Sequence, residues 1–280
     1  MSITHAKAEL FRALHRPGAP FIIPNPWDAG SARMLAALGA EALATTSAGF
    51  AFTLGHPDMG HVSRDVMLAH CQAIVAATPL PVSADLEDGY GAAPEAVAET
   101  VRLAAEIGLA GCSIEDTALP SSAAHGFDLA LERVKAAVAA ARGLGFAFML
   151  TARADGILTG AYGAGEAVRR LLAYAEAGAD VLYAPLLPMA ETGALCHGLD
   201  TPVNALAAGR FVNVPLTEYA AAGVARISVG SGLARLTHAV IRDAARAMLR
   251  DGDLSVLGAG IGAAVVDPLL IAGAKGERVS

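Results

Sequence analysis

Eight short runs rich in β-branched and other apolar residues recur along the chain, and longer runs of helical period separate them. The apolar runs are FIIPNPW near Phe21, ALATTSA near Ala42, PVSADLE near Pro81, GCSIED near Gly111, FAFMLTARAD near Phe146, ADVLYAPL near Ala179, PVNALA near Pro202 and ARISVG near Ala225. Between them stand AGSARMLAALGA, SRDVMLAHCQAIVAA, PEAVAETVRLAAEIG, LALERVKAAVAAARGLG, GEAVRRLLAYAEAGA and PLTEYAAAG. Parallel strands need a crossover of a dozen or more residues, usually a helix, so this alternation points to a parallel sheet. Eight repeats at a spacing of roughly 20 to 35 residues predict an α/β fold, a closed (β/α)8 barrel of TIM type, rather than an open doubly wound sheet. No GxGxxG opens a helix after the first strand, which weakens the dinucleotide-binding alternative. Segments such as LGA, IGLAG and AGA just before strands predict helices that end on a glycine.

Composition agrees with that reading. Hydrophobic residues make up 54% of the 280 and charged residues 17%, which suits strands covered on both faces. The expected organisation is a single barrel domain over residues 1–280, with a C-terminal helical extension from about residue 233. LARLTHAVIRDAARAMLRDG is a long amphipathic helix, and the stretch beyond it reads as irregular. The apolar stretch Gly258–Ala274 suits internal packing or contact between subunits, so a homo-oligomer is expected. A net charge of −7 without a basic patch argues against nucleic acid as a partner. Cys71, Cys112 and Cys196 lie far apart with no CxxC pair, which argues against a disulfide framework or a zinc site and suits the cytoplasm. The N-terminal MSITHAKAELFRALHRP lacks the apolar core of a signal peptide, and no run of about 18 apolar residues suggests a membrane span.

In such a barrel the C-terminal strand ends face the active site. The third strand ends in Asp85, Glu87 and Asp88, the fourth in Glu115 and Asp116, the fifth in Arg153 and Asp155, and the seventh carries Asn204. The second runs into Thr45, Thr46, Ser47, Ala48 and Gly49, followed by a loop with His56, Asp58 and His61. Asp85 and Glu87 are two apart, so in an extended strand they share a face. Joined by Glu115 they would repel, and a cation, a shared proton or Arg153 must compensate. An all-oxygen set of this kind suits Mg²⁺, with Mn²⁺ as a substitute. The competing explanation is solvated loop acids and ordinary ion pairs. Arg153 could clamp a carboxylate in a bidentate manner, or pair structurally with Glu115 or Asp155. The small residues Ser47, Ala48 and Gly49 would let backbone amides approach an anion. His70 falls in a helical run and reads as structural, whereas His56 and His61 suit a lid. Cys71 and Cys112 read as small core residues.

Taken in order, TTSAG with LGHPD, SADLEDGYG, GCSIED, LTARAD and PVNALA resemble the isocitrate lyase/phosphoenolpyruvate mutase superfamily. The resemblance runs from PNPWDAGSARMLAALGA to RISVGSGLARL. It implies Asp85 as a direct Mg²⁺ ligand, with Asp58, Glu87 and Glu115 holding the ion through waters. Arg153 would pair with the substrate carboxylate, and Ser47 and Ala48 would contact a small 2-oxo acid. Trp27 would line the pocket, and Asn204 matches a strand-7 asparagine. The chemistry implied passes through an enolate of the 2-oxo acid, with Arg153, Ser47 and Glu115 at the reacting end. It also implies tetramers, or dimers, that exchange the last barrel helix.

The departures from that pattern narrow the reaction. The superfamily's lyases carry a Lys-Lys/Arg-Cys-Gly-His motif after the fourth strand, where this chain has TALPSSAAHGFD. Its phosphonate-forming mutases carry a Lys-Thr-Asn-Ser-like loop and a strand-6 histidine, where this chain has YAPLL. The leading expectation is therefore a Mg²⁺-dependent lyase or decarboxylase of oxaloacetate type. The alternatives are C–C or C–P cleavage of another substrate, such as a phosphonopyruvate- or 2-oxoglutarate-like acid, with Ser121, Ser122 or His125 in the loop role, and a non-catalytic 2-oxo acid binding protein.

Overall fold

The computed structural model describes residues 2–279. Helix α1 (Ile3–Leu14) precedes strand β1 (Phe21–Ile23). The first half continues with α2 (Ala29–Ala37), β2 (Leu43–Ala44), α3 (Ser47–Thr53), α4 (Arg64–Ala77), β3 (Val82–Asp85), α5 (Pro94–Glu106) and β4 (Gly111–Glu115). The second half holds α6 (Phe127–Gly143), β5 (Met149–Arg153), α7 (Gly156–Thr159), α8 (Ala164–Glu176), β6 (Val181–Tyr183) and α9 (Met189–Gly198). It ends with β7 (Val203–Leu206), α10 (Leu216–Ala221), β8 (Arg226–Ser228), α11 (Gly232–Asp251) and α12 (Ala263–Lys275).

All eight strands pair in parallel, in the order β1-β8-β7-β6-β5-β4-β3-β2. The sheet curls into a nearly closed barrel. β1 and β2 meet across the seam where the Ala44 N–H donates to the Pro24 carbonyl at 3.1 Å. The Asn25 amide reinforces that closure by donating to the Thr45 carbonyl at 3.1 Å. Each strand lies within the apolar run that predicted it.

Local chemistry explains the punctuation. Asp28 starts α2, its carboxylate accepting from the Ser31 N–H at 2.6 Å while the Ser31 hydroxyl accepts from the Asp28 N–H. Gly39 and Gly178, just before β2 and β6, sit at φ of 101° and 95°, a region that costs a glycine least. α1 lies against one end of the barrel, packing Ala8, Phe11 and Leu14 with Phe21, Ile23, Met149 and Val181. Further along the strands the interior turns polar: Arg226 donates to Asn204 Oδ1 and Thr151 Oγ1.

Three segments differ from expectation. Ser47, Ala48 and Gly49 are not a turn but the first turn of α3, capped by the Thr46 side chain, which accepts from the Gly49 N–H. Residues 189–198, unassigned from sequence, form α9. The stretch after α11, expected to be irregular, contains α12, with Pro268 inside it. Its residues Leu269 and Ala272 pack on Ala37 of α2. The helices approach so closely at Gly273 that a β-carbon there would lie 1.9 Å from the Arg33 carbonyl oxygen. Tertiary packing thus overrides the poor helical propensity of Gly273 and Pro268. Among the described residues no helix is long and apolar enough to cross a membrane.

Gly273→Leu should push α12 off α2 and cost about 1–3 kcal/mol, as overpacking usually does. Thermal unfolding should show the lower midpoint, and limited proteolysis should cut faster between residues 252 and 262.

Candidate active site

Strand register brings the central group together. Glu115 of β4 pairs with Arg153 of β5, and Arg153 with Tyr183 of β6. The Arg153 guanidinium then meets three carboxylates: Asp85 at 2.7 Å, Glu115 at 3.1 Å and Asp155 at 2.6 Å. Asp155 grips it twice, through Nε at 3.0 Å and Nη2. The Tyr183 ring lies 5.2 Å from the guanidinium carbon. Asp155 is itself fixed, because its backbone N–H donates to Asp116 Oδ1 at 2.9 Å. The other Asp116 oxygen accepts from Arg170 and from the Tyr162 hydroxyl.

One positive charge faces three acids in a buried setting, and the titration reflects it. Burial pushes Glu115 well above the usual carboxylate range, and Asp155 adds to the effect against the pull of Arg153. Burial likewise raises Asp155, opposed by Arg153. Burial alone would lower Arg153, but Asp155, Glu115 and Asp85 hold it well above its ordinary value.

Asp85 connects this group to α3. Its second oxygen accepts from the Ser47 N–H at 3.2 Å and from the Ser47 hydroxyl at 2.7 Å. Asp85, Ser47, Ala48, Asp58 and Arg153 line a cavity of about 450 Å³ at the C-terminal strand ends. Thr45, expected at the end of the second strand, lines it too; Asn25, Tyr183, Arg226, Ser228 and Arg235 also line it, and sequence reasoning did not single them out. An arginine inside the apolar run ARISVG was the available signal for Arg226.

The remaining expected residues take other positions. Glu87 does not share a strand face with Asp85, because β3 ends at Asp85 and Glu87 adopts a φ of 49°. The left-handed turn carries Glu87 into the wall of a neighbouring opening of about 630 Å³, beside Asp88, Tyr90 and His125. There Glu87 Oε1 accepts from the Gly60 N–H at 3.0 Å, while the buried Oε2 has no partner among the described residues. Gly49 and Trp27 stand behind the cavity wall: a β-carbon on Gly49 would lie 3.1 Å from Trp27 Cβ. Asn204 bridges Arg226 and Ser228, donating to the Ser228 hydroxyl at 3.0 Å. His70, expected to be structural, stacks on Phe50 at 3.5 Å. In the loop after β4, Ser121 and Ser122 are exposed, whereas His125 is buried with its Nε2 unpartnered.

Among the described residues no three His, Cys, Asp or Glu side chains form a ready-made metal cage. The donor set instead suits a cation that keeps several waters and takes few direct protein ligands, as Mg²⁺ does. Asp58, Asp85 and Glu87 are near enough to perturb one another, and no cation is bonded to Asp58 or Glu87. Burial raises Asp58 and Asp85 adds to it, while the Met59 N–H, Arg153 and Arg235 pull it down. Burial pushes Glu87 up to about 7, with Asp85, Asp58 and Asp88 adding. The unpartnered Glu87 Oε2 is the sharpest sign that a positive group belongs nearby.

A sequence profile described as phosphoenolpyruvate phosphomutase matches residues 11–249. The chain belongs to this family. Relatives place it within the wider isocitrate lyase/phosphoenolpyruvate mutase superfamily. A Mycobacterium tuberculosis protein, Rv1998c, is 36% identical over 225 residues, covering 79% of this chain and 81% of its own. The 2,3-dimethylmalate lyase of Eubacterium barkeri is 36% identical over 170 residues, covering 58% and 57%. A solved Burkholderia cenocepacia J2315 protein, provisionally described as a lyase/mutase, superposes with a TM-score of 0.92 at 47% identity, covering 99% of both chains. Oxaloacetate acetylhydrolase in complex with oxalate superposes with a TM-score of 0.83 at 26% identity, covering 96% and 94%.

The folded protein keeps a proton on Glu87 between about pH 4.5 and 7, where the unfolded chain has lost it. Folded protein therefore binds more protons, and stability falls as pH rises through that window. Glu87→Gln should flatten part of this fall in metal-free protein, by up to about 3 kcal/mol at neutral pH. Urea denaturation at pH 5 and pH 8 gives the comparison, and an unchanged difference would contradict the placement of Glu87.

Proposed function

We propose that the chain is a Mg²⁺-dependent carbon–carbon lyase acting on a small 2-oxo acid, with decarboxylation of oxaloacetate as the leading reaction. The observation that carries this reading is Asp85, seated between Arg153 and Ser47 at the strand ends with further acids close by. Asp85 would hold the ion directly, and Asp58, Glu87 and Glu115 would hold it through waters, with Mn²⁺ as a workable substitute. The bound cation supplies a Lewis acid for the 2-oxo oxygen.

The chain's own residues supply the rest. Arg153 offers its guanidinium to the carboxylate of the substrate, in an orientation fixed by Asp155. Ser47 and Ala48 present the first turn of α3 to the 2-oxo end, beside Asp85. Holding these donors in place before the reaction stabilises negative charge that develops on oxygen, without reorganisation at that moment. Decarboxylation asks little more of a site than this.

A second reading is C–C or C–P cleavage of a different 2-oxo acid. Two observations favour keeping it: the similarity to proteins named oxaloacetate acetylhydrolase and 2,3-dimethylmalate lyase, and a cavity far roomier than a three-carbon acid requires. We further infer a cytoplasmic homo-oligomer. α11 exposes Leu236 and Val240 one turn apart on the same face, an apolar pair suited to a second copy, and the three cysteines are free thiols.

Release of pyruvate from oxaloacetate should require Mg²⁺ and stop with EDTA. Arg153→Lys should reduce kcat/KM by roughly 100-fold or more, the scale expected when a bidentate clamp is lost. Binding of 2-oxo acids without turnover of any of them would favour a binding protein and overturn the enzymatic reading.

A further inference from the structure

Among the described residues, six buried side-chain polar atoms have no partner, and three of them belong to residues that line one opening. They are Glu87 Oε2, the Tyr90 hydroxyl and His125 Nε2, around the space of about 630 Å³ beside the strand-end cavity. Glu87 is 5% exposed and His125 9%, so bulk water does not satisfy either polar end. Buried polar groups are almost always bonded. Three unpartnered ones around a single opening point to a bound group that is not part of the chain.

The segments that carry these side chains are firmly held. Glu87 and Tyr90 adopt φ of 49° and 62°, left-handed conformations that are uncommon outside glycine and persist where the surroundings over-determine them. The Glu87 carbonyl accepts from the Glu115 N–H at 2.9 Å, and the Gly89 carbonyl from the Thr100 hydroxyl at 2.8 Å. Arg133 of α6 donates to both the Asp88 and the Gly91 carbonyls. The Asp88 carboxylate accepts from the Tyr90 N–H at 2.9 Å. In the loop after β4, the His125 N–H donates to the Asp116 carbonyl at 2.8 Å, and Arg170 donates to the His125 carbonyl at 3.0 Å. The backbone is thus pinned on both sides of the opening, while the polar ends of the three side chains are left free.

Charge selects what the opening takes. Asp65, Glu87 and Asp88 line it against a single arginine, Arg64, which disfavours an anion. Glu87 is also tied to the proposed cation site, since Asp85 and Asp58 both act on it. Tyr90 stands close to the same acids: burial raises its phenol, and Glu87, Cys71 and Asp85 add to the rise. A phenol and an imidazole can each donate to water or accept from it. Mg²⁺ keeps several waters, and the groups around a metal's first shell orient it and tune its affinity.

We infer that Tyr90 and His125 are positioning residues of the cation site, which act with Glu87 by holding the waters that a bound Mg²⁺ retains. The inference rests on the proposed function, which supplies the cation, and it adds two uncharged side chains to the four acids. It also gives the left-handed turn after β3 a purpose, because that turn brings Glu87 and Tyr90 to one opening.

Titration of metal-free protein with MgCl₂ by calorimetry tests this, with Asp85→Ala as the reference for loss of the site. Tyr90→Phe keeps the ring and removes only the hydroxyl. It should weaken Mg²⁺ binding by roughly tenfold or more, the scale seen when an outer partner of a metal site is removed. Its urea midpoint without metal should be unchanged or higher, because an unpartnered buried hydroxyl is lost. His125→Leu should weaken Mg²⁺ binding in the same direction. Uptake that Asp85→Ala abolishes but that neither Tyr90→Phe nor His125→Leu weakens would overturn this inference alone. A lower urea midpoint for Tyr90→Phe with unchanged Mg²⁺ affinity would make the hydroxyl a structural group and overturn it as well. If the parent protein takes up no Mg²⁺, the proposed function fails, and this inference with it.

Discussion

Arg153 sits in a nearly dry position with Asp85, Glu115 and Asp155 within ion-pair distance, and this contact organises the barrel mouth. A single guanidinium offsets only part of that negative charge. Removing such an arginine would leave buried acids with no partner, a change that usually costs several kcal/mol. The cluster also fixes geometry. Asp155 aligns the guanidinium, Asp116 fixes the Asp155 backbone, and Arg170 with Tyr162 anchors Asp116. Orientation at the reacting end is thus transmitted from α8 and the segment around Tyr162, outside the cavity.

Acids and arginines meet at the barrel mouth, where Arg153 and Arg235 both act on Asp58. Asp58, Asp85 and Glu87 lie toward the loops after β2 and β3, and Arg226 and Arg235 belong to β8 and α11. Family members share the barrel, so the fold itself says little about the reaction. The loop after β4 reads TALPSSAAHGFD and lacks the cysteine motif that the resemblance would lead one to expect of a lyase. Of its buried side chains, Asp116 is bonded to the Asp155 N–H and Arg170, while His125 faces the opening shared with Glu87 and does not line the 450 Å³ cavity.

Much of the fold was legible in the sequence because the two periodicities, two for strands and 3.6 for helices, alternate cleanly. Asp85 and Arg153 were legible at the barrel mouth for a related reason: they are the last residues of their strands, which the barrel delivers to one end. What escaped notice depends on tertiary context. Glu87 was placed on the strand face because the strand was assumed to continue past Asp85, and the left-handed turn at Glu87 redirects it. α12 was hidden by Gly273 and Pro268, and contact with α2 makes a helix worthwhile there. Arg226 was overlooked although a charged residue within an apolar strand is unusual enough to notice.

The claim that matters most is that the acids around Asp85 assemble to hold a divalent cation. Titrating metal-free protein with MgCl₂ by calorimetry, in two buffers of different ionisation enthalpy, tests it most directly. Mg²⁺ should bind once per chain near neutral pH and release protons, because the raised Glu87 carboxyl gives up its proton as a cation arrives. Asp85→Ala should abolish the uptake. Absence of Mg²⁺ binding, or binding that persists unchanged in Asp85→Ala, would contradict it.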